Sequence, residues 1–336
     1  MVINLIRILV GKNINRNTMK QIKLIATIFS ALMMVVSCYP KNELNPDDWY
    51  TVLPEGTIIE EDEVVDGLMV MSSNVRFYSA RNKADDPDTG TRDWEVRKEG
   101  YFLMINTMQP DVFGVQEAEN IQLNHIKDNC PGYSYVGVGR TDGVTAGEST
   151  AIFYKTALIE VESWGTKWMS KTPDVVNSYF ASNEDRQTRT STWAILKVRE
   201  TGERFFMINN HTSLYKASQT EEVQLIVKLV EELCPAGLPV VLTGDWNLEE
   251  ADPIMKPVND SYFSARKTAT MTDNNVTFHW WGSYSTISQN KHLDHIFYKG
   301  FDRCYRFRTL NMQWKNMWIS DHHPVYAILQ FHYDAQ

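Results

Sequence analysis

Three short blocks combining acid, amide and imidazole groups stand out in this chain: Gly114-Val115-Gln116-Glu117, Gly244-Asp245-Trp246-Asn247 and Ser320-Asp321-His322-His323-Pro324. Each adjoins an apolar, strand-like run, so each sets its polar side chains at a strand end. Carboxylates, an amide and a histidine converging there are what a hard divalent cation and an activated water require. The implied chemistry is metal-dependent cleavage of a phosphoester.

The elements that must position these blocks follow from periodicity. Residues 68–75 read as a strand, 94–108 have helical spacing, and 112–115 form a short buried strand. Residues 133–138 and 151–154 read as strands around a Gly-rich, mobile loop, 139–147. Residues 192–198 and 204–209 flank the turn signal Thr201-Gly202 and form a hairpin. Val223, Ile226, Val227, Val230 and Leu233 share one helical face. Residues 238–242 are a buried strand stopped by Gly244, and 293–298 and 324–331 are the last strands. Many strands and few helices imply two stacked mixed sheets covered by helices. No internal repeat is visible.

The formal net charge is −9, and residues 1–37 hold five cations and no acid, so the remaining body is more acidic still. That balance argues against sequence-blind binding of nucleic acid, which rests on Lys and Arg neutralising phosphates. Lys20 and Lys23 precede an uncharged run over 24–36, long enough for a signal-peptide core and too short to span a bilayer. Val35-Val36-Ser37-Cys38 resembles the bacterial lipobox, in which the cysteine is lipidated. The expectation is an exported lipoprotein held on a periplasmic or cell-surface face through Cys38, translated from Met1 or Met19. An ordinary signal peptide or a membrane anchor is the alternative. Residues 39–66, with Glu60-Glu61-Asp62-Glu63, read as an acidic tether, and 67–336 as one catalytic domain. Cys130, Cys234 and Cys304 allow at most one disulfide, and their spacing fits no zinc site.

Taken together, the blocks resemble the endonuclease/exonuclease/phosphatase family, the deoxyribonuclease-I-like fold. The matching stretches are Val70-Met71-Ser72-Ser73-Asn74-Val75-Arg76, Gln109 through Glu117, Gly147-Glu148, Asn209-Asn210-His211, Gly244-Asp245-Trp246-Asn247, Leu293-Asp294-His295-Ile296-Phe297 and Ser320-Asp321-His322. Trp94-Glu95, Arg97-Lys98 and Thr192-Trp193 further resemble its secreted bacterial branch. The resemblance implies an α/β, four-layer αββα sandwich. It also implies that Glu117 is the principal ligand of Mg²⁺ or Mn²⁺, with Asn74 and Asp321 completing or orienting the site. His322 and Asp294 would form a histidine–carboxylate pair, and Asp245 and Asn247 would position or activate water. His211 and Glu148 would form a second pair, with His211 donating to phosphate. Where the family commonly has Asn-Thr-His-Leu-Asp, this chain has Asn209-Asn210-His211-Thr212-Ser213, which loosens the substrate contacts expected near that loop.

Three further expectations come from the residues alone. Arg189 is a candidate phosphate contact or a solvated charge. Trp246 and Trp280 sit in loops approaching the mouth of the site, where they could stack on a base, a sugar or a choline headgroup, or pack the rim. The substrate expected is a small or lipid-headgroup phosphoester acted on by a monomer. A Mg²⁺-dependent endo- or exonuclease is the alternative within the class. A non-catalytic surface-binding lipoprotein is the alternative outside it, opposed by the completeness of the acid and imidazole set.

Overall fold

A computed structural model describes residues 49–51, 67–78, 89–283 and 291–332. The expected leader, Cys38 and most of the expected tether lie outside the described residues. Within that tether stretch, however, Trp49–Thr51 is a strand that pairs antiparallel with Met312–Trp314. Trp-Tyr-Thr is a run of strand-favouring residues.

Strands β1 (Leu68–Asn74), β2 (Val112–Gln116), β3 (Tyr133–Val136) and β4 (Ile152–Lys155) belong to one sheet. Strands β5 (Ile159–Trp168), β6 (Thr190–Val198), β7 (Arg204–His211), β8 (Val240–Asp245), β9 (Phe263–Ser264) and β10 (Asp294–Lys299) form a second. The chain then returns to the first with β11 (Arg303–Thr309) and β12 (Val325–Gln330). The orders are β11-β12-β1-β2-β4-β3 and β9-β10-β8-β7-β6-β5.

Each sheet has one parallel pair, β1 with β2 and β7 with β8. Helix α1 (Trp94–Met108) makes the first crossover and helix α3 (Lys216–Leu233) the second, as parallel neighbours require. Between them α2 (Asn120–Asn129) starts at a capping box of Glu119 and Gln122. The Thr192–Val198 and Arg204–Asn209 segments expected as a hairpin do pair antiparallel. The four-layer αββα expectation matches this architecture.

Alternation along each strand sorts the side chains. Val70, Val112, Met207, Val241 and Ile296 point into the core between the sheets. Phe206, Ile208, Leu242 and Phe297 point the other way and pack with Val223, Ile226 and Val230 of α3. Cys130, Cys234 and Cys304 are all free thiols. Among the described residues no helix is long and apolar enough to cross a membrane.

The Gly139–Gly147 loop is tied to itself rather than loose. Asp142 Oδ1 accepts from the amides of Val144, Thr145 and Ala146, and Gly139 N donates to Val144 O.

Candidate active site

The inward positions of the central strands change character as the chain climbs them. Along β1 they run Leu68, Val70, Ser72, Asn74; along β7, Phe205, Met207, Asn209, His211; along β8, Val241, Thr243, Asp245. The first residues fill the apolar core, the next make a polar layer, and the last stand at its open end.

Asn209 is the centre of the polar layer. Its Nδ2 donates to Val115 O and Ala151 O across the sheets, at 2.8 and 3.0 Å. Its Oδ1 accepts from Gln116 Nε2 at 2.7 Å and Thr243 Oγ1 at 3.0 Å. A Cβ on Gly114 would fall 2.3 Å from that oxygen, so only glycine leaves room. Gly114 and Gln116, taken from sequence as part of a chemical block, therefore serve the junction of the sheets. Of that block Glu117 alone reaches the cleft.

Glu117 leaves β2 in the left-handed conformation, φ 62°, which turns its carboxylate toward the ends of the neighbouring strands. Asn74 Nδ2 donates to Glu117 Oε1 and to Asp245 Oδ2, both at 3.0 Å, while its Oδ1 accepts from Arg76 N at 2.9 Å. Asn74 thus bridges two carboxylates through its nitrogen, while its oxygen is engaged by the backbone. Phe77 N donates to Glu117 Oε2 at 3.1 Å. Burial opposes ionisation of Glu117, but the Arg76 charge first, with the Asn74 hydrogen bond and His322, outweighs it and pulls the carboxyl down to about 2.

Across the second sheet, His211 lies opposite Asp245, and Asp245 opposite Asp294. His322, just ahead of β12, donates from Nδ1 to Asp294 Oδ2 at 2.7 Å and holds Nε2 3.6 Å from Asp245 Oδ2. Burial disfavours its charge, yet Asp294 and then Asp245 overcome that and raise the ring to about 10. The backbone N of Asn247 donates to Asp245 Oδ1 at 3.0 Å, and burial pushes Asp245 up to about 7. Asn247, with φ 48°, is tied through Nδ2 to Thr212 O.

His211 does not pair with Glu148. Its Nε2 lies 2.9 Å from Arg189 Nη1 and 3.6 Å from Asp245 Oδ2. Burial first, and then the Arg189 charge, hold the ring well below its ordinary pKa and neutral. Glu148 pairs with Arg140 at 2.7 Å, because the folded 139–147 loop returns Arg140 beside it. Arg189 is buried against His211 rather than solvated.

Trp246 is absent from the cleft. It is wholly buried beneath the second sheet, edge-on to Phe297. It comes directly after Asp245, the last residue of β8, and the alternation of the strand carried one residue further sends the two side chains to opposite faces. Trp280 does line the cleft, at φ 43°, with its ring 5.2 Å from the Arg76 guanidinium. Arg76 and the aromatic wall of Phe77 and Phe278 were not singled out from sequence. Four residues of the cleft, Arg76, Glu117, Asn247 and Trp280, are held at positive φ.

The resulting cleft has a volume of about 460 Å³. A recess of about 10 Å³ shares Glu117, Glu148, Arg189 and His211 with it and is closed by Arg140 and Thr190. Glu117, His211 and Asp245 offer ligand atoms within 4.8 Å of one another, as do Asp245, Asp294 and His322. His322 is engaged by Asp294, which leaves the Glu117 carboxylate, with that of Asp321 in the same cleft, as the oxygen donors that suit a divalent cation.

Solved structures share this arrangement of sheets. An endonuclease/exonuclease/phosphatase from Bacteroides vulgatus superposes with a TM-score of 0.71 at 26% identity, covering 80% of this chain and 100% of that one. The mannosyl-6-phosphatase of Bacteroides thetaiotaomicron VPI-5482 superposes at 0.70 with 28% identity, covering 79% and 100%. Protein L388 of Acanthamoeba polyphaga mimivirus is 23% identical over 212 residues, 61% of this chain and 79% of the relative. The family profile of the endonuclease/exonuclease/phosphatase proteins matches residues 71–322, a span that holds every residue of the cluster from Asn74 to His322, and the chain belongs to that family.

Proposed function

We propose that this protein is a Mg²⁺- or Mn²⁺-dependent phosphoesterase whose substrate is a small phosphomonoester. The observation that carries the reading is the junction of Glu117, Asp245, His211 and the His322–Asp294 pair at one end of the inter-sheet core. Glu117 and Asp321 would hold the cation, with Asn74 orienting Glu117. A cation there would neutralise phosphate charge and stabilise the charge that develops on the leaving oxygen.

The chain's own residues supply the rest. Asp245, steadied by Asn247 N and Asn74 Nδ2, takes the proton of the attacking water as the water oxygen bonds to phosphorus and the bond from phosphorus to the ester oxygen breaks, releasing the alcohol. His322, fixed by Asp294, presents a charged Nε2–H to the phosphoryl oxygens. His211 and Arg189 face the same group from the other side.

The shape of the cleft favours a monoester. On the Arg189 side the recess has room for about one water-sized group and ends at Arg140 and Glu148. The wide part lies among Phe77, Phe278, Trp280 and Leu293. That asymmetry favours one organic group on the phosphate over a chain running past it on both sides. The similar Bacteroides structure named as a mannosyl-6-phosphatase supports a sugar phosphate as the first compound to try. A panel of sugar phosphates, inositol phosphates, phospholipid headgroups and single-stranded DNA, assayed with Mg²⁺ and with EDTA, tests this. Preferred turnover of a monoester, lost in EDTA, is the expected result; no metal-dependent turnover on any of them would overturn the reading.

We also propose that the protein is exported and anchored through lipid on Cys38, from the residue pattern over 20–38. Cys38→Ser should then move the protein from the membrane fraction to the soluble one, and continued membrane association would contradict it.

A further inference from the structure

The turn leaving β1 puts Arg76 at φ 54°, a left-handed conformation that a bulky residue adopts only when its surroundings hold it there. The structure holds it there from three directions. The Arg76 amide donates to Asn74 Oδ1 at 2.9 Å. Its carbonyl accepts from Arg97 Nη2 at 2.9 Å and from Gln122 Nε2 at 2.8 Å. Arg97 and Gln122 are both buried and belong to different helices, α1 and α2. A backbone determined this closely fixes where the side chain leaves it.

The guanidinium emerges into the cleft. It lies 4.4 Å from the centre of the Phe77 ring and 5.2 Å from that of Trp280. Its Nη1 stands 3.8 Å from Glu117 Oε2 and 3.8 Å from Asp321 Oδ2. Arg76 thus stands between the two carboxylates as an ion-pair partner of each, with aromatic rings packed along it.

We propose that Arg76 is a catalytic residue that contacts a non-bridging oxygen of the phosphoryl group, opposite Arg189. The inference rests on the phosphoesterase reading and deepens it. The planar guanidinium fork matches the oxygens of a phosphoryl group, which a lysine would meet only as a point charge. With Arg189 on the His211 side and Arg76 on the Glu117 side, two fixed cations flank the place where the doubly charged phosphate of a monoester would sit.

The rival role is a counter-ion that merely settles Glu117 and Asp321. Two bindings to the full chain, read by calorimetry, separate the roles without needing the right substrate: Mn²⁺ alone, and inorganic phosphate in the presence of Mn²⁺. Arg76→Ala is expected to weaken phosphate binding at least tenfold and to leave Mn²⁺ binding as tight as in the wild type, or tighter. Arg76→Lys is expected to recover only part of the phosphate affinity. If melting shows that Arg76→Ala loses the fold, Arg76→Gln, which keeps most of the length without the charge, carries the same expectation. Phosphate affinity unchanged within twofold, or Mn²⁺ affinity that falls as far as phosphate affinity, would overturn the proposal. Failure of the phosphoesterase reading would show separately, as a wild-type chain that turns over no phosphoester.

Discussion

Asp294 and Asp245 face each other across paired strands β10 and β8, and the His322 ring spans them, with Nδ1 2.7 Å from Asp294 Oδ2 and Nε2 3.6 Å from Asp245 Oδ2. One imidazole thus links a carboxylate that fixes it to a carboxylate that shares its work. The phenyl ring of Phe278 packs against it, tilted by 55° at 4.9 Å between centroids, and both residues line the cleft.

Replacing that ring tests its role. His322→Ala should lower kcat by roughly 10²–10³-fold, the range of a donor positioned on developing charge. Steady-state kinetics on the best substrate of the panel gives the number. A loss smaller than about tenfold would remove His322 from the chemistry.

Arg97 predicts a stability effect. Buried in α1, it donates to four backbone carbonyls: Val75 O at 2.7 Å, Ile319 and Arg92 O at 2.8 Å, and Arg76 O at 2.9 Å. These lie in three segments, two of which carry Asn74 and Asp321. Arg97→Met strands the carbonyls and should cost on the order of 3–5 kcal/mol in urea unfolding. A cost below about 1 kcal/mol would show that they find other donors.

Glu222 predicts a pH effect. It is buried in α3, its Oε2 accepts from Ser213 N at 2.7 Å, and burial pushes it up to about 7. The folded chain therefore holds this proton after the unfolded chain, near 4.5, has released it. Stability is lost as pH rises from about 4.5 to about 7, by up to about 3 kcal/mol, and the loss persists above that. Glu222→Gln keeps an oxygen for Ser213 N. The variant should melt higher than the wild type at pH 8, with the gap closing toward pH 4.5. Equal melting curves at pH 8 would contradict the buried-acid account.

Much of the site was legible because it is written on alternate residues. Leu68, Val70, Ser72, Asn74 and Phe205, Met207, Asn209, His211 both grade from core to chemistry along one face. Reading contiguous words instead put Trp246 beside Asp245, when a strand separates such neighbours. The two longest strands that went unread, β5 and β11, are both sheet edges. Their Glu160 and Glu162, or Arg303, Arg306 and Arg308, interrupt the apolar pattern because one flank needs no strand partner. Glu148 was assigned to His211 because nothing local reveals that the 139–147 loop folds Arg140 back onto it. Arg76 was quoted in a matching stretch but given no role, for a similar reason: its place depends on Arg97 and Gln122, both more than twenty residues away.

The central claim is that Glu117 makes the reaction metal-dependent. The most direct measurement is turnover of a phosphomonoester by the wild type and by Glu117→Gln, titrated with Mg²⁺ from an EDTA-stripped chain. The account predicts that wild-type turnover rises from zero and saturates, while the folded Glu117→Gln variant shows none over the same range. Saturating Mg²⁺-dependent turnover by Glu117→Gln at the wild-type rate, or undiminished wild-type turnover in EDTA, would contradict it.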